Sequence, residues 1–154
     1  MVHYRFIHFR TIIRFTGIVT IILASLMLIP AIYAFLEDEK VMAAFIFSAL
    51  STAALGFTLY LAGDKNNEGM NKRDGFITIV FTWIVISICG SLPFVLSGAT
   101  ENFGDAVFES IAGFATNGLS LLNFERIPYS VLLWRGIIEW VGGIGIIIFI
   151  MSFI

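Results

Sequence analysis

The feature that most constrains this chain is where its charges are missing. No charged residue falls within 15–36, 41–63 or 75–100, stretches of 22, 23 and 26 residues. A helix that spans a bilayer needs about 20 predominantly apolar residues at about 1.5 Å rise each, so each stretch is long enough to cross. A fourth uncharged run, 140–154, joins them if its helix starts near Tyr129 and carries Arg135 and Glu139 inside it. Composition agrees: 58% of residues are hydrophobic and 13% charged, against about 45–50% and about 25% in soluble domains. The expected fold class is an all-α integral membrane protein, which excludes a soluble enzyme. A net charge of −2 leaves no basic footprint for nucleic acid. The single cysteine, Cys89, cannot form an intrachain disulfide, and no Cys/His cluster has metal spacing. His3 and His8 stand among N-terminal arginines and read as solvated or headgroup-level residues.

The first apolar run follows Arg5, Arg10 and Arg14, as a signal peptide would. It is too long for a signal-peptide apolar region of about 7–15 residues and reads as a retained helix. The basic residues of the N-terminus and of the 64–74 loop (Lys65, Lys72, Arg73) lie two crossings apart, hence on one side. The other side carries Glu37, Asp38, Glu39, Glu101, Asp105, Glu109 and Glu125 against only Lys40 and Arg126. The positive side is expected to be cytoplasmic, with the N-terminus there, in the cytoplasmic membrane.

The stretch 101–126 is too polar and too rich in glycine to span, yet long enough to enter and return. Non-helical backbone at membrane depth survives only where it lines a cavity or is buried in protein. The layout is therefore two N-terminal helices (residues 1–74 with their loop), then an outer helix at about 75–98, a short helix at about 103–113, a turn at about 115–119 and an inner helix at about 129–154. Asn102 is a suitable N-cap, and Asp105 lies in the first turn, where the helix dipole favours an anion. The short helix would point its negative end at the membrane centre, which favours a cation. A carbonyl-lined filter needs backbone torsions that glycine adopts at least cost. Gly118 in Ala115-Thr116-Asn117-Gly118-Leu119 meets that need, although the same Asn-Gly pair also suits an ordinary extracellular turn. Glu101, Asp105 and Glu109 recur at helical spacing, an acidic row that would concentrate cations at a mouth, although Glu101 and Asp105 also suit a solvated vestibule face with no specific role. Glu109 lies deepest and is expected to be paired. Arg135 and Glu139, four apart, suggest an intrahelical pair or a partner in another repeat or subunit. Tyr129 and Trp134 suit an interfacial belt. Gly136, Gly142, Gly143 and Gly145 allow close packing or a bend. Gly143-Ile144-Gly145 follows no strand and is not a dinucleotide fingerprint.

Three stretches together carry a family likeness. LMLIPA at 26–31 resembles the end of a first helix; FGDAVFESIAGFATNGLS at 103–120 is similar to the pattern FxDAxFESxSGFTTTGAT; and LWRGIIEWVGGIGI at 133–146 is similar to WRSxxQWxGGxGI. The chain thereby resembles the N-terminal part of the Trk/Ktr superfamily of potassium transporters, the TrkH-type membrane subunits. The resemblance implies four outer helix–pore helix–inner helix modules around one pore, with this chain supplying two extra helices and module one. It implies potassium as the substrate, bound through backbone carbonyls of Ala115, Thr116, Asn117, Gly118 and Leu119, with Asp105 and Glu109 on the pore helix and vestibule, and no cofactor. Glycine at 118 goes with potassium preference. Ala115 and Asn117 replace the commoner threonines, and Glu139 replaces a usual glutamine. It implies as partners the remaining modules or further copies of the chain, a homo-oligomer, membrane lipid and a cytosolic nucleotide-binding regulatory ring. Family members are roughly three times longer, so the expectation is a fragment or truncated form contributing one quarter of a filter. The alternatives are a self-assembling minimal channel and a small accessory membrane protein without transport. An intramembrane enzyme is disfavoured, because no nucleophile–base pair or paired aspartate lies in the spans.

Overall fold

The computed structural model describes residues 8–63 and 72–151, and every regular element among them is an α-helix. In chain order these are α1 (Phe9–Leu26), α2 (Leu28–Leu36), α3 (Met42–Ala62), α4 (Lys72–Leu96), α5 (Phe103–Phe114) and α6 (Tyr129–Met151). Among the described residues, four segments are long and apolar enough to cross a membrane: Phe9–Leu36, Met42–Ala62, Arg73–Leu96 and Tyr129–Ile147. The exterior is as apolar as the core. Leu36 is 73% exposed and Trp140 76%, while Thr16, Thr20, Ser48, Ser91 and Glu109 are fully buried. That inversion of the soluble pattern suits lipid as the surrounding solvent. His3 and the residues of the basic 64–71 loop lie outside the described residues.

The first span departs from a single helix over the uncharged run. It starts at Phe9, ahead of the run, because charges near a helix end cost little: the Arg14 guanidinium donates to the Tyr60 hydroxyl at 2.7 Å and lies over its ring at 4.2 Å. It is then interrupted at Met27. Pro30 has no N–H to offer the Leu26 carbonyl and its ring crowds that carbonyl. Met27 keeps helical torsions (φ −64°, ψ −19°), so the interruption kinks the span without ending it. His8 is not merely solvated: its Nδ1 lies 3.0 Å from Asp74 Oδ2, joining the starts of α1 and α4.

Small residues set the helix crossings. A Cβ built on Gly17 would stand 2.7 Å from the Gly56 carbonyl oxygen, so α1 and α3 meet backbone to backbone. The hydroxyls of Thr16 and Thr82, 2.9 Å apart, join α1 to α4. The shared core runs through Met27, Phe45, Phe94, Phe114, Trp134 and Ile138. Trp134, expected at the interface, is wholly buried, and its indole N–H donates to the Gly90 carbonyl at 3.0 Å. Tyr129, 71% exposed, remains at the outer surface.

Candidate functional site

The site is built on α5. Asn102 caps it: its side-chain oxygen accepts from the Asp105 N–H at 2.9 Å, and its amide donates back to the Asp105 carboxylate at 2.8 Å. The first bond satisfies a helix-end N–H that would otherwise lack a partner, and the second, between the two side chains, holds the cap in place. One face of α5, with Ala106, Glu109, Ser110 and Gly113, is buried between α4 and α6. Its last residue, Phe114, lies against Gly142, where an added Cβ would collide with the Phe114 carbonyl. Gly142 is about 13 residues into α6, so α5 ends ~20 Å from the start of that helix. The chain reverses there and returns to Tyr129, a path that enters the bundle and leaves on the same side.

The reversal has a defined chemistry. The Thr116 N–H donates to Gly113 O at 2.9 Å and the Asn117 N–H to Ala112 O at 3.3 Å, the two bonds of a Schellman helix end. The C-cap is Ala115, and the motif places the first residue past it in the left-handed region, usually as glycine. Here it is Thr116, with φ +52°. A β-branched residue there is strained by about 1–3 kcal/mol. Two residues on, Gly118 is again left-handed at φ +72°, with open space where a side chain would stand. Between them Asn117 turns its side-chain oxygen back to the Leu119 N–H at 2.9 Å. Residues 116–119 are exposed, so their backbone is accessible from outside the bundle.

Behind this segment lies a buried ionic network. Glu109 has no exposed surface. One carboxylate oxygen accepts from Arg135 Nε at 2.6 Å and from the Ser120 hydroxyl at 2.7 Å; the other accepts from the Leu121 N–H at 2.9 Å. Arg135 also donates to the Leu119 carbonyl at 3.0 Å and to Glu139 one turn along α6. One guanidinium thus ties α5, α6 and the returning strand-like segment together, with every hydrogen bond charge-assisted.

The structure brings Ala115, Thr116, Asn117, Gly118 and Leu119 together at the reversal. It does not form the expected acidic row. Glu101 precedes α5, Asp105 is engaged in the cap, and Glu109 faces the interior instead of a vestibule, because a cation from α6 meets it there. Arg135 forms the intrahelical pair with Glu139, and its second partner is Glu109 of α5 in the same module, which neither reading named. Sequence reasoning missed Glu39 altogether. Its carboxylate accepts from the N–H groups of Tyr129 (3.0 Å) and Ser130 (3.3 Å) and from the Ser130 hydroxyl. The available signal was negative: α6 has no acidic residue in its own first turn.

The model of a family described as TrkH, cation transport protein, matches residues 37–154. The chain belongs to the TrkH family. It is 32% identical over 92% of its length to the Trk system potassium uptake protein TrkH of Escherichia coli K12, and 30% identical over 90% of its length to that of Halomonas elongata. Among solved structures it is similar to the potassium transporter TrkH from Vibrio parahaemolyticus, with a TM-score of 0.87, 28% identity and 94% of this chain covered. It spans 30% of the Escherichia coli TrkH and 31% of the Vibrio TrkH chain. TrkH relatives are named as transporters, not enzymes, and the multi-pass helical architecture is that of a membrane protein.

Proposed function

We propose that this chain supplies one module of a potassium uptake pathway in the cytoplasmic membrane. Residues 1–74 are an accessory hairpin; from residue 75 on, α4, α5 and α6 act as outer, pore and inner helices; and the segment 115–119 forms one quarter of a filter in which the carbonyls of 115–118 replace the ion's hydration shell while that of Leu119 is held by Arg135. The observation that carries this reading is the reversal at the end of α5. There, two left-handed residues, Thr116 and Gly118, stand in an exposed segment braced from behind by Glu109 and Arg135. The negative end of the α5 dipole adds attraction for a cation at the same place. Names of TrkH relatives point to potassium. The rest of the filter comes from further modules of a longer chain or from further copies of this one, within a homo-oligomer that a cytosolic nucleotide-binding ring can regulate. The N-terminus lies on the cytoplasmic side, by the distribution of basic residues.

The test is potassium-limited growth of cells that lack their own uptake systems. They would express the gene product that carries this chain, beside its Gly118→Asp variant. Rescue by the parent and its loss in the variant, at equal membrane abundance, is expected, because a side chain at φ +72° is strained and a carboxylate would trap the ion. Equal rescue by both would mean the glycine lines no ion path.

A further inference from the structure

The first N–H groups of a helix need acceptors. In α6 the Val131 N–H finds the Pro128 carbonyl at 3.0 Å, but the Tyr129 and Ser130 N–H groups find no local side chain: Pro128 precedes the helix, and its first turn has no acidic residue. The acceptor comes from the turn between α2 and α3, some 90 residues earlier, where Glu39 takes the Tyr129 and Ser130 N–H groups and the Ser130 hydroxyl. That turn is itself held. The Glu39 N–H donates to Ala34 O at 2.8 Å and the Glu37 N–H to Tyr33 O at 3.0 Å, with Asp38 left-handed at φ +55°. A negative charge at this helix end also opposes the positive pole of the dipole. Six residues further along the same rod, ~9 Å away, Arg135 holds the Leu119 carbonyl and Glu109.

We infer that Glu39 is a positioning residue for the filter: the α2–α3 turn clamps the end of α6 and so sets where Arg135 holds the Leu119 carbonyl. The N-terminal hairpin is then part of the filter's support and not a passive appendage. This rests on the reading of 115–119 as an ion path.

Two readouts test it on the gene product reconstituted in vesicles: amide hydrogen exchange, and potassium and sodium uptake kinetics. Glu39→Ala should speed exchange at both Ser130 and Leu121. It should raise KM for potassium by about tenfold, the factor that corresponds to losing one charge-assisted hydrogen bond, with Vmax and abundance kept. Glu39→Gln, which keeps the shape and one acceptor, should lie between and serves if the alanine variant is unstable. Adding Pro128→Asp to Glu39→Ala supplies a cap from within α6. It should restore protection at Ser130 and leave KM raised, because the tie to the hairpin is still missing. Unchanged Leu121 exchange and KM in Glu39→Ala would overturn the inference, as would recovery of KM by Pro128→Asp, which would make the cap a local matter. If the parent moves no potassium, the ion-path reading fails by itself, and exchange at Leu121 alone decides whether Glu39 positions the segment.

Discussion

Arg135→Ala is expected to destabilise the folded chain by about 3–5 kcal/mol, the usual consequence of removing one member of a buried ion pair. The carboxylate left behind, Glu109, has no exposed surface and would keep only the Ser120 hydroxyl and the Leu121 N–H. The Leu119 carbonyl would lose its donor as well. Removing all three charges together, as Glu109→Gln and Glu139→Gln with Arg135→Met, should recover much of the loss, since no member of the network is then left charged and unpaired. Stability would partly return, yet the segment at 119–121 would stay unbraced, so transport should not. Thermal unfolding followed by tryptophan fluorescence reports this directly, because Trp134 is the residue beside Arg135 and is wholly buried. A loss below about 1 kcal/mol, the range of exposed pairs, would show that the network is not buried between the helices.

Gly142→Val should have the second large effect, by a different route. Any Cβ at 142 meets the Phe114 carbonyl, and its Cα at 2.7 Å. The end of α5 must then move away from α6. Overpacking of this kind costs about 1–3 kcal/mol, and the functional loss should exceed it, since the left-handed Thr116 follows two residues after Phe114 and moves with it. Gly136→Val is the control. The same helix has open space at 136, so only the small helix-propensity change remains. Comparable losses of uptake at both positions would mean that the α5–α6 contact is not what holds the reversal.

How much of this was legible in the sequence differs by feature. The spans were, because charge is excluded from lipid and its absence leaves a direct trace. Their bounds were less so: Arg10 and Arg14 lie inside α1, since a helix end tolerates what its middle does not, and the kink at Pro30 was in view but unread. The reversal was legible as composition, through Asn102, Asp105 and the glycines. The internal partnerships were not. Helical spacing put Glu101, Asp105 and Glu109 on one face, and periodicity carries no information about a guanidinium that arrives 26 residues after Glu109. Trp134 looked interfacial by residue type and is buried because the Gly90 carbonyl offers its indole a partner. Glu39 was invisible for the same reason: a cap supplied from 90 residues away leaves no local pattern. Family resemblance supplied the proposed substrate, which none of these residues states by itself.

The central claim is that backbone carbonyls around Gly118 select the ion, and the ratio of potassium to sodium flux into vesicles tests it most directly. The parent gene product should favour potassium. Gly118→Ser places a side chain at φ +72°, costs about 1–2 kcal/mol in that conformation, and should turn the neighbouring carbonyls and lower the ratio about tenfold or more while the protein stays folded. An unchanged ratio in a folded Gly118→Ser protein would contradict the account.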